Sequence, residues 1–184
     1  MELDQTPAAN DAVGGGWPGW TMSRPGASGL CFLCADILVP VREAPLRAQE
    51  IMAFCGERFA RLGQVARRRK LAHAESSDGG WLLVGEPDMM DASHHARMAL
   101  AALDMMRVFE DHPPPMALSG CALRIGIGRT LAAARRCEAD AGPGQIRCEA
   151  VFAECAGGKF RFLPCEIPED GEPVSLLVGQ EHDP

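Results

Sequence analysis

The sequence has no tyrosine and few other aromatic residues, and it has no apolar run long enough to cross a bilayer. The N-terminus also lacks the basic start and apolar core of a signal peptide. A formal net charge of -7 argues against a broad basic surface for nucleic acid. Eight cysteines without an export signal are typical of a protein with reduced thiols, so we expect a cytoplasmic protein. From the apolar runs and the charge we expect no transmembrane segment and no bound nucleic acid.

A complete zinc motif is also missing. Cys31 and Cys34 form a C-x-x-C, but no second C-x-x-C or H-x-x-x-H supplies further ligands. Residues three apart on a strand point to opposite faces, so we expect the two thiols to diverge and to pack in the core. His94 and His95 begin a helical pattern without a Glu-x-x-His partner, which argues against a metal role for them.

The first 28 residues are rich in glycine and proline and show no sustained period, which predicts a flexible N-terminal arm. The arm carries Trp17 and Trp20, which a purely solvated linker would not need. They are candidates for docking onto the domain itself or onto a protein partner, and the sequence favours neither. A globular domain is predicted over residues 29–180.

Hydrophobic periodicity predicts an alternating order of strands and helices in this domain. The predicted elements are a strand from 29, a helix over 43–69, a hairpin flanking 76–80, a helix over 91–112, strands at "CALRIGIG" and "QIRC" separated by a helix that Gly142 closes, a helix at 149–156, and strands at "KFRFLP" and "EPVSLLVG". The order β-α-β-β-α-β with a C-terminal extension predicts an α+β fold, an α/β sandwich with a ferredoxin-like core.

The hairpin segment "ESSDGGWLLVGEP" places one carboxylate, Asp78, directly before two glycines and a buried strand. Asp-Gly and Gly-Gly are strong turn dipeptides, so Asp78 fits a hairpin turn. It also fits a metal ligand at the edge of a nucleotide site. These two interpretations are both open from the residues alone.

Several stretches together resemble the catalytic domain of class III adenylyl and guanylyl cyclases. They are "CADILVPV", "SDGGWLLVGEP", the helix start at His95, "LRIGIG", "AAARRCEADAGPGQI" and "GEPVSLLV", which span roughly residues 29–178 in the family's order. In that family two aspartates on adjacent strands hold two divalent ions against a triphosphate. The resemblance therefore implies a nucleotide cyclase-like fold, with Asp36 and Asp78 as metal ligands and the Ile37 carbonyl as a further one. It also implies Mg²⁺ or Mn²⁺ with a purine nucleotide as the ligands of such a site.

The same resemblance shows where this chain departs from the family. The family's transition-state pair is an asparagine followed four residues later by an arginine, and these positions fall on Ala132 and Arg136. The position of the purine-reading residue falls on Ala74. Between "RIGIGRT" and "LAAARRC" the family has a strand and a projecting hairpin that contribute to its head-to-tail dimer, and this chain has neither.

These losses predict a catalytically inactive homologue that acts as a partner-binding regulatory, adaptor or structural subunit. The alternative is an active nucleotidyl cyclase, alone or as one half of a heterodimer, that makes cyclic AMP or GMP from ATP or GTP with two metal ions. A third hypothesis keeps metal and nucleotide binding without turnover. We expect a protein partner or a larger complex, with a homodimer or a heterodimer as the possible arrangements.

Overall fold

The computed structural model describes residues 29–40, 47–75, 80–85, 94–165 and 173–181. The described part contains strands, α-helices and one short 3-10 turn. In chain order they are β1 (Cys31–Leu38), α1 (Ala48–Arg68), β2 (Ala72–Glu75), β3 (Trp81–Gly85), α2 (His94–Glu110), a 3-10 turn (Met116–Leu118), β4 (Ala122–Gly128), α3 (Leu131–Ala139), β5 (Ile146–Glu149), α4 (Ala150–Ala156), β6 (Phe160–Pro164) and β7 (Val174–Gln180).

The strands form one seven-stranded sheet in the order β2-β3-β1-β4-β5-β7-β6. The first four are antiparallel and arise from a β-α-β-β-α-β sequence, which confirms the predicted ferredoxin-like core. Helix α3 then crosses over so that β5 runs parallel to β4, and β7 and β6 extend the sheet as antiparallel strands. The predicted α+β class with a C-terminal extension is therefore confirmed.

Alternation along β1 assigns its side chains to the two faces of the sheet. Cys31, Leu33 and Ile37 point into the main core, where they meet the apolar faces of α1, α2 and α4. Cys34 and Asp36 belong to the opposite face and line a surface cleft. The prediction that the thiols of Cys31 and Cys34 diverge and are buried is confirmed.

Helix α3 covers that opposite face of the sheet, and two glycines of β4 allow its close approach. A Cβ atom on Gly128 would lie 2.6 Å from the Ala134 amide nitrogen, and one on Gly126 would overlap the α3 backbone. The helix begins at Thr130, whose hydroxyl accepts a 3.1 Å hydrogen bond from the Ala133 amide, so the threonine caps the helix. Only Arg129 and Thr130 separate β4 from α3.

Some element ends differ from the sequence prediction, and the largest differences are at α3 and α1. Helix α3 ends at Ala139, earlier than the predicted stop at Gly142. The Gly142 amide instead donates to the Gln145 side chain at 2.9 Å, so this glycine belongs to the turn that leads into β5. Helix α1 begins at Ala48, whereas the pattern predicted a start near residue 43.

The predicted N-terminal arm, with Trp17 and Trp20, lies outside the described residues. None of the helices that the structure describes is both long and apolar enough to cross a membrane.

Candidate functional site

A cleft of about 190 Å³ opens on the α3 side of the sheet, where β1 ends. Its floor comes from β1 and the start of β3, and its wall comes from β4 and α3. The lining residues are Cys34, Ala35, Asp36, Gly80, Trp81, Leu82, Arg124, Leu131, Arg135 and Glu138. Two carboxylates and two guanidinium groups therefore share one small cleft.

Asp36 faces Arg124 in this cleft because the two residues are directly opposite each other in the β1–β4 register. The Arg124 Nη2 atom donates to the Asp36 carboxylate at 3.1 Å. Arg124 Nε also forms an ion pair with the Glu138 carboxylate on α3, and Arg124 Nη1 donates to the Ala139 carbonyl at 3.3 Å. One guanidinium thus ties β1, β4 and α3 together at the position of the sequence-predicted metal ligand.

Ile37 follows Asp36, and its side chain is buried on the other face of the sheet. The described pairing of β1 with β3 ends at Ala35, whereas pairing with β4 continues to Leu38. Gly80, at the described end of the β2–β3 hairpin, reaches the cleft. Asp78, the second predicted metal ligand, lies outside the described residues.

Helix α3 presents different residues to the cleft from those singled out in the sequence. Leu131, Arg135 and Glu138 line the cleft at a spacing of one and two helical turns. Ala132 and Arg136, which align with the family's asparagine and arginine, are both exposed and are not among the residues that line the cleft.

Three of the residues that line the cleft were not predicted from the sequence: Arg124, Arg135 and Glu138. The alternation of "LRIGIG" did predict which face of the sheet Arg124 occupies, because it places Arg124 on the same face as Gly126 and Gly128. The contact between Arg124 and Asp36 joins positions 88 residues apart, so it depends on strand register that a single sequence does not specify.

A second cluster of reactive side chains lies at the other end of β1, on the core side. The Cys31 thiol and the imidazoles of His94 and His95 have ligand atoms within 4.8 Å of one another. Burial raises the pKa of the Cys31 thiol to about 12, and burial together with the His94 imidazole lowers the pKa of His95 to about 4. The sequence pattern argued against a metal role for Cys31 with Cys34 and for the two histidines, whereas the fold brings Cys31, His94 and His95 together.

Comparison with solved structures identifies the architecture. The chain resembles the guanylate cyclase domain of RhGC from Catenaria anguillulae in complex with GTP, with a TM-score of 0.69 at 17% identity over 83% of this chain and 97% of that one. It also resembles a dimeric guanylyl cyclase domain of the RhoGC fusion protein from Blastocladiella emersonii, with a TM-score of 0.70 at 16% identity over 83% and 97%. The adenylyl cyclase CyaB from P. aeruginosa gives 0.67 at 11% identity over 84% and 95%.

The chain has the fold of a class III nucleotide cyclase catalytic domain. Nearly the whole length of each of these cyclase domains is matched, so the likeness is not confined to one part of the domain. No family model matches the sequence. No curated protein matches it either. The cyclase fold therefore occurs here in a sequence that is only 11–17% identical to those of these three structural neighbours.

Proposed function

We propose that this protein is a catalytically inactive class III nucleotide cyclase homologue that acts as a partner-binding subunit of a regulatory, adaptor or structural kind. The observation that carries the proposal is the connection between β4 and α3. Arg129 and Thr130 alone join these elements, and Thr130 is already the cap of the helix. By the resemblance we expect a strand and a projecting hairpin at this point. Two residues are too few to form them.

The residue at the transition-state position supports the same conclusion. The family's asparagine aligns with Ala132, whose methyl group can neither donate nor accept a hydrogen bond. Removing one preorganised donor of this kind costs roughly 10²–10³ in rate. The purine-reading position, Ala74, likewise has no hydrogen-bonding side chain. The losses fall on transition-state stabilisation and on base recognition at once, so little turnover is expected to remain.

The surroundings of Asp36 point in the same direction. Its carboxylate already accepts from Arg124, so a divalent ion at this carboxylate would sit beside a fixed positive charge. Arg135 adds a second guanidinium to the same cleft. A divalent ion bound at Asp36 would have to displace or screen these cations.

The alternative is a cyclase that is active as one half of a heterodimer, and two observations favour it. Arg136 is exposed, so it could reach a site on another chain, as the family's head-to-tail arrangement would require. Asp36 lines an open cleft with its side chain 37% exposed, so it remains accessible to a metal-nucleotide complex.

A cyclase assay separates the two functions. Full-length protein is incubated with ATP or GTP and with Mg²⁺ or Mn²⁺, and cyclic AMP and cyclic GMP are measured by mass spectrometry. We expect no product above the level of the Asp36→Ala variant. Product that disappears in Asp36→Ala would overturn the proposal. Calorimetric titration of the same nucleotides with Mn²⁺ tests for binding without turnover, for which we expect no saturable heat.

Partner binding requires its own experiment. The full chain and a chain lacking residues 1–28 are expressed with a removable tag in the source organism, and the mass of each purified complex is measured by light scattering. We expect the full chain to elute as a defined assembly of fixed stoichiometry. If Trp17 and Trp20 contribute to the interface, the assembly should be weaker in the shortened chain and in a Trp17→Ala/Trp20→Ala variant. A monomer under all conditions would overturn the subunit role.

A further inference from the structure

The core side of the sheet contains a cluster that the cyclase-like cleft does not use. Cys31 is the first residue of β1, and His94 and His95 are the first two residues of α2. Their sulfur and nitrogen atoms lie within 4.8 Å of one another. One thiol and two imidazoles therefore meet where a strand start and a helix start come together.

All three side chains are buried, and the polar atoms of His94 have no partner. Cys31 is fully buried, His94 is 6% exposed and His95 is 9% exposed. Neither Nδ1 nor Nε2 of His94 has a hydrogen-bond partner in the described structure. Burying a polar group without a hydrogen-bond partner costs free energy. A ligand that binds a His94 nitrogen would offset this cost.

The thiol of Cys31 is also only weakly satisfied. Its hydrogen-bond contact is a long one, to the Gly85 carbonyl at 3.9 Å. Gly85 leaves room for the sulfur, because a Cβ atom at that position would lie 2.6 Å from Sγ and 3.0 Å from the Met98 methyl group. Phe152 packs against the His95 ring with a centroid separation of 5.6 Å and closes the cluster from the side of α4.

We propose that Cys31, His94 and His95 form a binding site for one Zn²⁺ ion. Thiolate sulfur and imidazole nitrogen are the ligands that Zn²⁺ takes in proteins, and mixed cysteine and histidine sets are common. Ideal tetrahedral bond lengths place such ligand atoms about 3.3–3.7 Å apart, so a pair at the 4.8 Å limit would need to close by about 1–1.5 Å. Three protein ligands leave one tetrahedral position for a further ligand such as a water molecule.

The protonation states of the cluster are compatible with the metal. His95 is neutral at physiological pH because its pKa is lowered, and the neutral imidazole is the form that coordinates. A bound metal ion deprotonates a coordinating thiol outright, so the raised pKa of Cys31 does not prevent binding. On binding, the Cys31 S–H proton leaves to solvent and its sulfur electron pair forms the bond to zinc.

The zinc site is separate from the candidate cleft. Cys31 and Asp36 are five residues apart on β1, which corresponds to about 17 Å along an extended strand, and they lie on opposite faces of the sheet. A bound ion would join the start of β1 to the start of α2 and so stabilise the packing of that helix. The site does not depend on whether the protein is a cyclase.

The test is a zinc titration of the full-length, tag-free, reduced protein after removal of metals with a chelator. Competition with a chromophoric chelator gives the stoichiometry and affinity, and Co²⁺ substitution reports the ligands by absorption spectroscopy. We expect one Zn²⁺ per chain and a sulfur-to-cobalt charge-transfer band. Cys31→Ala should abolish that band, and Cys31→Ala, His94→Gln and His95→Gln should each weaken zinc binding by more than about 100-fold, since the loss of even a second-shell partner costs about 10–100-fold.

Matched controls distinguish ligand loss from a general loss of structure. Cys148→Ala removes another fully buried thiol, and His73→Gln removes a histidine outside the cluster; both should bind zinc as the wild type does. Circular dichroism in the chelator establishes that each variant is folded. Wild-type protein that takes up no stoichiometric zinc, or unchanged affinity in a Cys31→Ala/His94→Gln double variant, would overturn the proposal.

Discussion

Arg124 Nη2 lies 3.1 Å from the Asp36 carboxylate, across the register of two central antiparallel strands. The same guanidinium pairs with Glu138 on α3, and the side chains of Arg124 and Glu138 are 21% and 15% exposed. Partial burial makes this network more than a surface ion pair, because removal of the cation would leave two carboxylates facing each other in the cleft. It also links α3 to the strands beneath it.

The first prediction concerns this network. Arg124→Gln should lower the free energy of unfolding by about 1–3 kcal/mol, since two carboxylates lose their charged partner. Urea denaturation measures the change. A double-mutant cycle with Glu138→Gln should show that the double variant is less destabilised than the sum of the two single variants. Additivity within about 0.5 kcal/mol would contradict coupling between these residues.

The second prediction concerns the close approach of α3 to β4. Gly126→Ala should destabilise the protein by about 1–3 kcal/mol or more, because the added methyl group would overlap the helix backbone at Ala134 and Glu138. Chemical denaturation provides the readout.

The matched control for that substitution is Gly56→Ala, within helix α1. A Cβ atom there meets nothing within 4 Å, and alanine is the better helix former by about 1 kcal/mol. Gly56→Ala should therefore leave stability unchanged or raise it slightly. Equal effects of the two substitutions would show that the approach of α3 is looser than described.

These elements also show how much of the fold the sequence could predict. Alternation in "LRIGIG" and the turn dipeptides near Asp78 are local signals, so the strands and the ferredoxin-like core were predictable. The predicted C-terminal end of α3 was wrong, because a glycine such as Gly142 is common both at helix ends and in turns. In the structure the Gly142 amide donates a hydrogen bond to the Gln145 side chain, which places this glycine in the turn.

The neighbours within each candidate site were less predictable, for a physical reason. Arg124 meets Asp36 through strand register, and Cys31 meets His94 through the packing of α2 on the sheet. Both are contacts between residues more than 60 positions apart, and a single sequence does not predict such long-range contacts. The position of α3 similarly decides that Arg135, and not Arg136, lines the cleft.

A third prediction tests the start of α3. Thr130→Ala should cost about 1 kcal/mol, because the Ala133 amide loses its hydrogen-bond acceptor at the helix end. Thr130→Ser keeps the hydroxyl and should stay within a few tenths of a kcal/mol of the wild type. Thermal and urea unfolding of both variants check this. Equal destabilisation by alanine and serine would mean that the methyl group of Thr130 matters and the cap does not.

The last prediction concerns the thiols. Burial raises the pKa of Cys137 to about 11 and also raises that of Cys148, so both are almost wholly protonated at pH 8. Cys155 is exposed. In native, metal-free protein at pH 8, the Cys155 thiol should react with Ellman's reagent roughly 100-fold faster than those of Cys137 and Cys148, since the thiolate is the reacting form. Mass spectrometry of the labelled peptides identifies each thiol, and Cys155→Ser should remove the fast labelling of that peptide. Fast labelling of Cys148 in the folded protein would show that β5 opens readily and that its thiol is not held in a closed core.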